Sequence, residues 1–348
     1  MASIQESADD VVESFFRTAS QSISPPRSAS QLGEHIARTK ISAYTPQSPD
    51  DNTSAILSAF LDNLPQEGKQ NLIHFIATCR ENDILFTLSE HLISAILVSL
   101  RARTTPEVTP SPLPNAEEDL VNVVSSHMTH PSDRNSQDKL KQQCLKRDNY
   151  QCLVTGVYDH EHAPGNVPDD LLKLTGETEL AHIIPLALGK FRNSAEEVQR
   201  ARTWAAIYTC FPDIPLHTNC FAETVNDSEN LMTLYSPVHK AFGKFQIAFE
   251  PADEEHTYRL QFYRLPTVLH LHLPEPDENN ERVVRFTKHA NYDLPSRALL
   301  GAHAAVARSL HVTGMARTID QLLRDRGELC GLAEDGSTDI GRLSMLAR

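Results

Sequence analysis

Between Ser54 and Leu100 apolar residues return every three or four positions: Ile56, Leu57, Phe60, Leu61 and Leu64, then Leu72, Ile73 and Ile76, then Leu85, Leu88, Leu92, Ile96 and Leu100. That spacing puts one apolar stripe on each of three helices. Pro65 ends the first, and Asn82 or Asp83 suits the N-cap of the third. Beyond residue 175 the period shortens. Thr178 to Ile184 and Asn230 to Leu234 read as short strands, and Phe245, Ile247 and Phe249 alternate as a further strand does. Tyr258, Leu260 and Phe262, and then Val283 and Phe286, mark two more, separated by a polar turn from Pro274 to Glu281. Helical spacing returns at Ala195 to Tyr208, anchored by Trp204, and at Leu299, Leu300, His303, Val306, Ala307 and Leu310, with Gly314 as terminator. His303 lies on an apolar stripe and reads as a core histidine. The class this predicts is α+β.

Prolines and polar runs divide the chain. Residues 1–50 read as a partly disordered N-terminal segment, with one amphipathic turn at Val11 to Phe16 and a loose Ser/Pro-rich stretch from Ser20 to Ser30. Residues 51–104 form a small helical unit in which no polar side chains converge, which suits packing or a protein partner. A linker follows at 105–135, where Thr104 to Pro114 holds four prolines. A domain at 136–250 carries a helical insertion at 190–225. Strands and a helix at 251–348 are expected to pack on it before a frayed end.

Charge and cysteine content narrow the class. A net charge of −14 argues against a protein that coats nucleic acid along its whole surface, although a locally positive groove is compatible with it. The six cysteines contain no C-x-x-C pair, so neither a zinc ribbon nor a disulfide framework is expected. The N-terminus lacks a signal-peptide core, and Leu92 to Leu100 is too short to span a bilayer. A soluble intracellular protein is the expectation, with nucleus and cytoplasm undistinguished.

The chemistry concentrates between Glu179 and Phe249. His182 stands before Ile183-Ile184-Pro185, Asn230 precedes Leu231, and His239 follows nine residues later, an ordered His-Asn-His series. A neutral imidazole can deprotonate water near neutral pH, and a divalent ion can relieve phosphate charge and stabilise a leaving oxygen. A second polar run, Asp159-His160-Glu161-His162, holds four potential ligands in a row, but adjacent loop residues rarely converge on one ion, and a solvated loop is the preferred reading.

Arg147-Asp148-x-Tyr150-x-Cys152-x-x-Thr155-Gly156, Ala181-His182-Ile183-Ile184-Pro185, Asn230-Leu231 and His239-x-x-Phe242 together resemble the HNH endonuclease domain, most closely the Ala-His-Ile-x-Pro variant common in fungal proteins. The resemblance implies a ββα-metal core embedded in helical and mixed extensions, with His182 on a hairpin and His239 on a helix around one divalent ion (Mg²⁺, Mn²⁺ or Zn²⁺). By that likeness His182 is the general base and His239 a metal ligand, while Asn230 holds the loop or assists at the metal. Arg147, Lys240 and Lys244 are candidate phosphate contacts, a role for which ordinary surface charges are an equal reading. The implied partner is nucleic acid, DNA before RNA. One departure stands out. Many members carry Asp, Glu or His immediately before the first histidine, and here that residue is Ala181, which cannot ligate. Asn230, Glu179 two residues earlier on the same strand face, His217 in the insertion, or His182 itself are the open replacements. A catalytically weak or inactive binding module is the alternative reading.

Overall fold

The computed structural model describes residues 27–79, 82–102, 106–112, 120–122, 124–125, 135–163, 174–218 and 224–325. The expected amphipathic turn near Val11, part of the linker and the frayed end lie outside these residues. The chain divides into two compact units. The described parts of one fall within Ser20–Ser126, Phe191–Cys210 and Arg308–Arg348, and those of the other within His127–Lys190 and Phe211–Ala307.

The first unit is helical: α1 (Arg27–Ala43), α2 (Thr53–Asn63), α3 (Gln66–Thr78) and α4 (Asn82–Leu92), a π-helical stretch at Ile93–Val98, and later in the chain a helix at Ser194–Cys210 and another at Met315–Asp325. Ile56, Leu57, Phe60 and Leu61 of α2 are each at most 1% exposed, as the apolar spacing predicts. Gly68 of α3 is required by close approach, because a Cβ there would lie 1.9 Å from the Cys210 carbonyl oxygen. Beside it Asn71 donates to Thr209 O at 3.0 Å. Helix α1 was not legible as such: its stripe follows a Ser/Pro-rich stretch that masks the helix start.

The second unit opens with α5 (Asn135–Arg147). Two short strands, β1 (Tyr158–Asp159) and β2 (Thr175–Gly176), pair in parallel. β3 (Thr178–His182) and β4 (Leu231–Tyr235) pair antiparallel, with Glu179 opposite Leu234, Ala181 opposite Met232 and His182 opposite Leu231. Helix α6 is the Ser194–Cys210 segment of the first unit, and α7 (Asp213–His217) follows it in the chain. β4 runs straight into α8 (Ser236–Gly243), whose second residue, Pro237, has no N–H to leave unsatisfied. α8 packs on β3, β4 and the next sheet, β5 (Ile247–Pro251), β6 (Thr257–Phe262) and β7 (Val283–Arg285). Phe242, Phe249, Tyr258 and Phe286 meet edge-on or tilted between them. Helix α9 (Arg297–Val312) and helix α10 (Met315–Asp325) close the described chain.

The α+β class is thus as the periodicities predict. The stretch Cys152 to Gly156, expected as a strand entering a turn, forms a tight turn at residues 153–155 rather than a strand. Cys152 N–H donates to Val157 O at 2.9 Å and Gly156 N–H to Cys152 O at 3.0 Å, so the chain closes on itself there, with Gly156 at φ +67°. Among the described residues no helix is long and apolar enough to cross a membrane.

Candidate functional site

His182 ends β3 and is half-buried. Its Nε2 lies 3.0 Å from Asn226 Oδ1, a residue of the loop between α7 and β4. Burial depresses its pKa below the ordinary histidine value. The Asn226 hydrogen bond opposes that, and the neighbouring Lys190 adds to it. His182 is therefore neutral at pH 7.

His239 lies one turn into α8, and its Nδ1 donates to Glu179 Oε2. The other carboxylate oxygen of Glu179 accepts the Ser236 hydroxyl at 2.6 Å. Burial alone would raise the Glu179 pKa. The bonds from Ser236 and His239, with Lys240 nearby, hold it below the usual range instead, so it is ionised. A carboxylate on Nδ1 fixes the ring and leaves Nε2 as the atom with a lone pair, the arrangement of imidazoles that bind metals. Ala181 is fully buried. Glu179, one pleat earlier on the same strand face, brings its carboxylate to the His239 ring.

Asn230 is also fully buried. Its Oδ1 accepts the Ile184 N–H at 2.7 Å, and its Nδ2 donates to Ile184 O at 2.9 Å and Val225 O at 2.8 Å. With no exposed surface and its amide committed threefold, Asn230 staples the loop to the exit of β3. It is not placed to ligate an ion arriving from solvent. Arg147 departs further from expectation. It is 0% exposed, bonded to Asp148 and to the carbonyls of Ser228, Leu231 and Asp293, and so it holds the fold and cannot face a phosphate. Lys240 and Lys244 are exposed, on α8 and immediately after it, and His217 is exposed at the end of α7.

Among the described residues, the one group of three His, Cys, Asp or Glu side chains whose ligand atoms converge is Asp159, Glu161 and His162, all within 4.8 Å of one another. It is a possible metal group, drawn from the run expected to be a solvated loop. Asp159 is already heavily engaged. Its Oδ1 accepts the N–H groups of Glu161 and His162 and the His162 ring at 2.8 Å, and its Oδ2 accepts the Thr178 hydroxyl at 2.6 Å. Lys141 Nζ stands 3.8 Å away, a cation already in competition for the carboxylate.

Sequence reasoning missed Asn226, Ser236 and Lys190. Asn226 stands four residues before the Asn of the series in a loop of no fixed period, where nothing in the pattern marks which polar side chain turns inward.

Residues 152–250 match the model of a family described as HNH endonuclease. Neither a curated protein nor a solved structure matches the chain. The matched segment runs from the Cys152 turn through β3, β4 and α8 into β5, taking in His182, Asn230 and His239, and by that match residues 152–250 are an HNH endonuclease domain, of a family that acts on nucleic acid and typically binds a metal.

Proposed function

We propose that this domain is a metal-dependent endonuclease that hydrolyses phosphodiester bonds, with DNA the substrate to test first. The observation that carries the reading is a neutral, half-buried His182 at the end of β3, beside a helix on which Glu179 fixes the His239 ring. His182 takes a proton from water at Nδ1 while Asn226 retains hold of Nε2. His239 Nε2 is the donor for a divalent ion, with Glu179 orienting the ring or joining it. The ion, when bound, relieves charge on the phosphate and stabilises the leaving oxygen. Lys240 and Lys244 steady the phosphates as point charges, and Asn230 keeps the loop closed. The empty ligand position at Ala181 favours a second reading, a nucleic-acid-binding module that does not cut.

Nicking of supercoiled plasmid in Mg²⁺, Mn²⁺ and Zn²⁺ separates the two. His182→Ala is expected to slow nicking at least ~100-fold, the low end for losing a general base. Nicking that survives unchanged removes the mechanism, and plasmid binding without nicking by the wild type establishes the second reading. Elemental analysis of the same preparations locates the ion. His239→Ala is expected to lose it and His162→Ala to retain it, and the reverse result assigns it to Asp159, Glu161 and His162.

A further inference from the structure

We propose that Asn226, itself anchored by Gln137, is the positioning residue that fixes His182 in the Nε2–H tautomer, so that Nδ1 alone carries a lone pair. The catalytic consequence rests on the reading of His182 as the base; the tautomer does not.

Asn226 Oδ1 lies 3.0 Å from His182 Nε2 and accepts from Gln137 Nε2 at 3.2 Å. An amide oxygen has two lone pairs and no proton, so both neighbours must donate. Turning the Asn226 amide over alone would set its NH₂ against the NH₂ of Gln137, so the orientation that accepts from His182 is the one that also accepts from Gln137. Gln137 lies in the first turn of α5, a regular helix, so the chain of bonds starts from a rigid element. The backbone on either side of Asn226 is fixed as well. Asn230 Nδ2 holds Val225 O at 2.8 Å, Asp227 N–H donates to Thr224 O at 2.8 Å, and Ile183 N–H donates to Asn230 O at 2.9 Å. The loop that presents Asn226 is therefore tied to the strand that presents His182, at the residue following it.

A free neutral imidazole exchanges its proton between two nitrogens, and a base in the wrong tautomer offers an N–H where a lone pair is needed. Asn226 removes that choice. Burial has already made the ring neutral; Asn226 determines which neutral form it is.

The test uses the full chain labelled with ¹⁵N-histidine, with the His182 ring assigned by its absence in His182→Ala. Long-range ¹H–¹⁵N spectra are expected to show Nε2 protonated in the wild type. Asn226→Leu is expected to give a mixture of tautomers and to lower kcat for plasmid nicking roughly 10- to 100-fold, the range for losing an imidazole's orienting partner, with KM little changed. Asn226→Asp keeps the acceptor, and at pH 8.5 it is expected to restore both the tautomer and most of kcat. Asn226→Leu with wild-type tautomer and turnover overturns the proposal, and so does an Asn226→Asp chain that restores neither. If Asn226→Leu does not fold by circular dichroism, Gln137→Met replaces it, with partial tautomer mixing expected; an unmixed spectrum overturns the proposal. Wild-type nicking by His182→Ala would instead defeat the general-base reading and leave the tautomer result standing.

Discussion

Arg147→Met is expected to destabilise its unit by about 3–5 kcal/mol, the cost of leaving one partner of a buried ion pair behind. The guanidinium has five N–H donors, and all five are engaged. Nε and Nη2 grip the two Asp148 oxygens at 2.7 and 3.0 Å, Nη1 reaches Ser228 O and Asp293 O at 2.8 Å each, and Nη2 reaches Leu231 O at 2.8 Å. Neither side chain of the pair has exposed surface. Methionine fills similar volume but leaves the Asp148 carboxylate and three carbonyls without those donors. Lysine is no substitute, because its three donors on a point charge cannot span a carboxylate and three carbonyls. Two of the carbonyls, at Ser228 and Leu231, flank Asn230, so the loss should reach the site loop first. Hydrogen exchange at Leu231 to Tyr235 reads it directly. Trp204, the chain's one tryptophan, belongs to the other unit, so its fluorescence is a poor reporter. A loss below ~1 kcal/mol with unchanged exchange would mean that Arg147 is not the staple its hydrogen bonds describe.

Arg147 also shows where a sequence stops being readable. The α+β class and the strands around residues 180 and 232 follow from periodicity, because burial of one face imposes a period on the chain. The order of the motif blocks pointed to the matched family, and with it to a helical seat for His239. What a single polar residue does has no period. Arg147 in a basic last turn looks like a surface cation until five acceptors are brought to it from three parts of the chain. Asn230 reads equally as ligand or staple until Ile184 and Val225 close around its amide. Glu179 could be placed on the right strand face, but only the fold brings α8 back over β3 to set His239 against it. Asn226 gave no signal at all.

The second large effect is on acid stability. His303 of α9 lies stacked on Phe242 and Phe245, with ring centroids at 3.9 and 4.3 Å and planes within 13° of parallel. Its Nε2 is 3.2 Å from Phe242 O, and its Nδ1 is buried with no hydrogen-bond partner among the described residues. Burial drives its pKa down to about 3, against the Phe242 carbonyl's opposing pull. The folded protein therefore refuses a proton that the unfolded chain accepts below ~6.5. Unfolding then takes up protons, and stability falls as pH falls. The contribution is complete above pH ~6.5 and is lost at ~1.4 kcal/mol per pH unit beneath it, the loss approaching ~5 kcal/mol near pH 3. Carboxylates with depressed pKa values, such as Glu179 and Asp159, lose their contribution only below the ordinary carboxylate range, so the slope between pH 6.5 and 5 belongs to histidine. His303→Leu gives up the bond to Phe242 O, costing ~1 kcal/mol at pH 7. It also removes the protonation penalty, and by pH 4.5 the variant should be the more stable of the two. Urea denaturation at the two pH values tests for that crossing. Phe242 and Phe245 bracket the end of the helix that carries His239, so acid loosening here would unseat His239 along with the core. An acid slope unchanged in His303→Leu would move its origin to His182, the other histidine among the described residues whose proton affinity burial lowers.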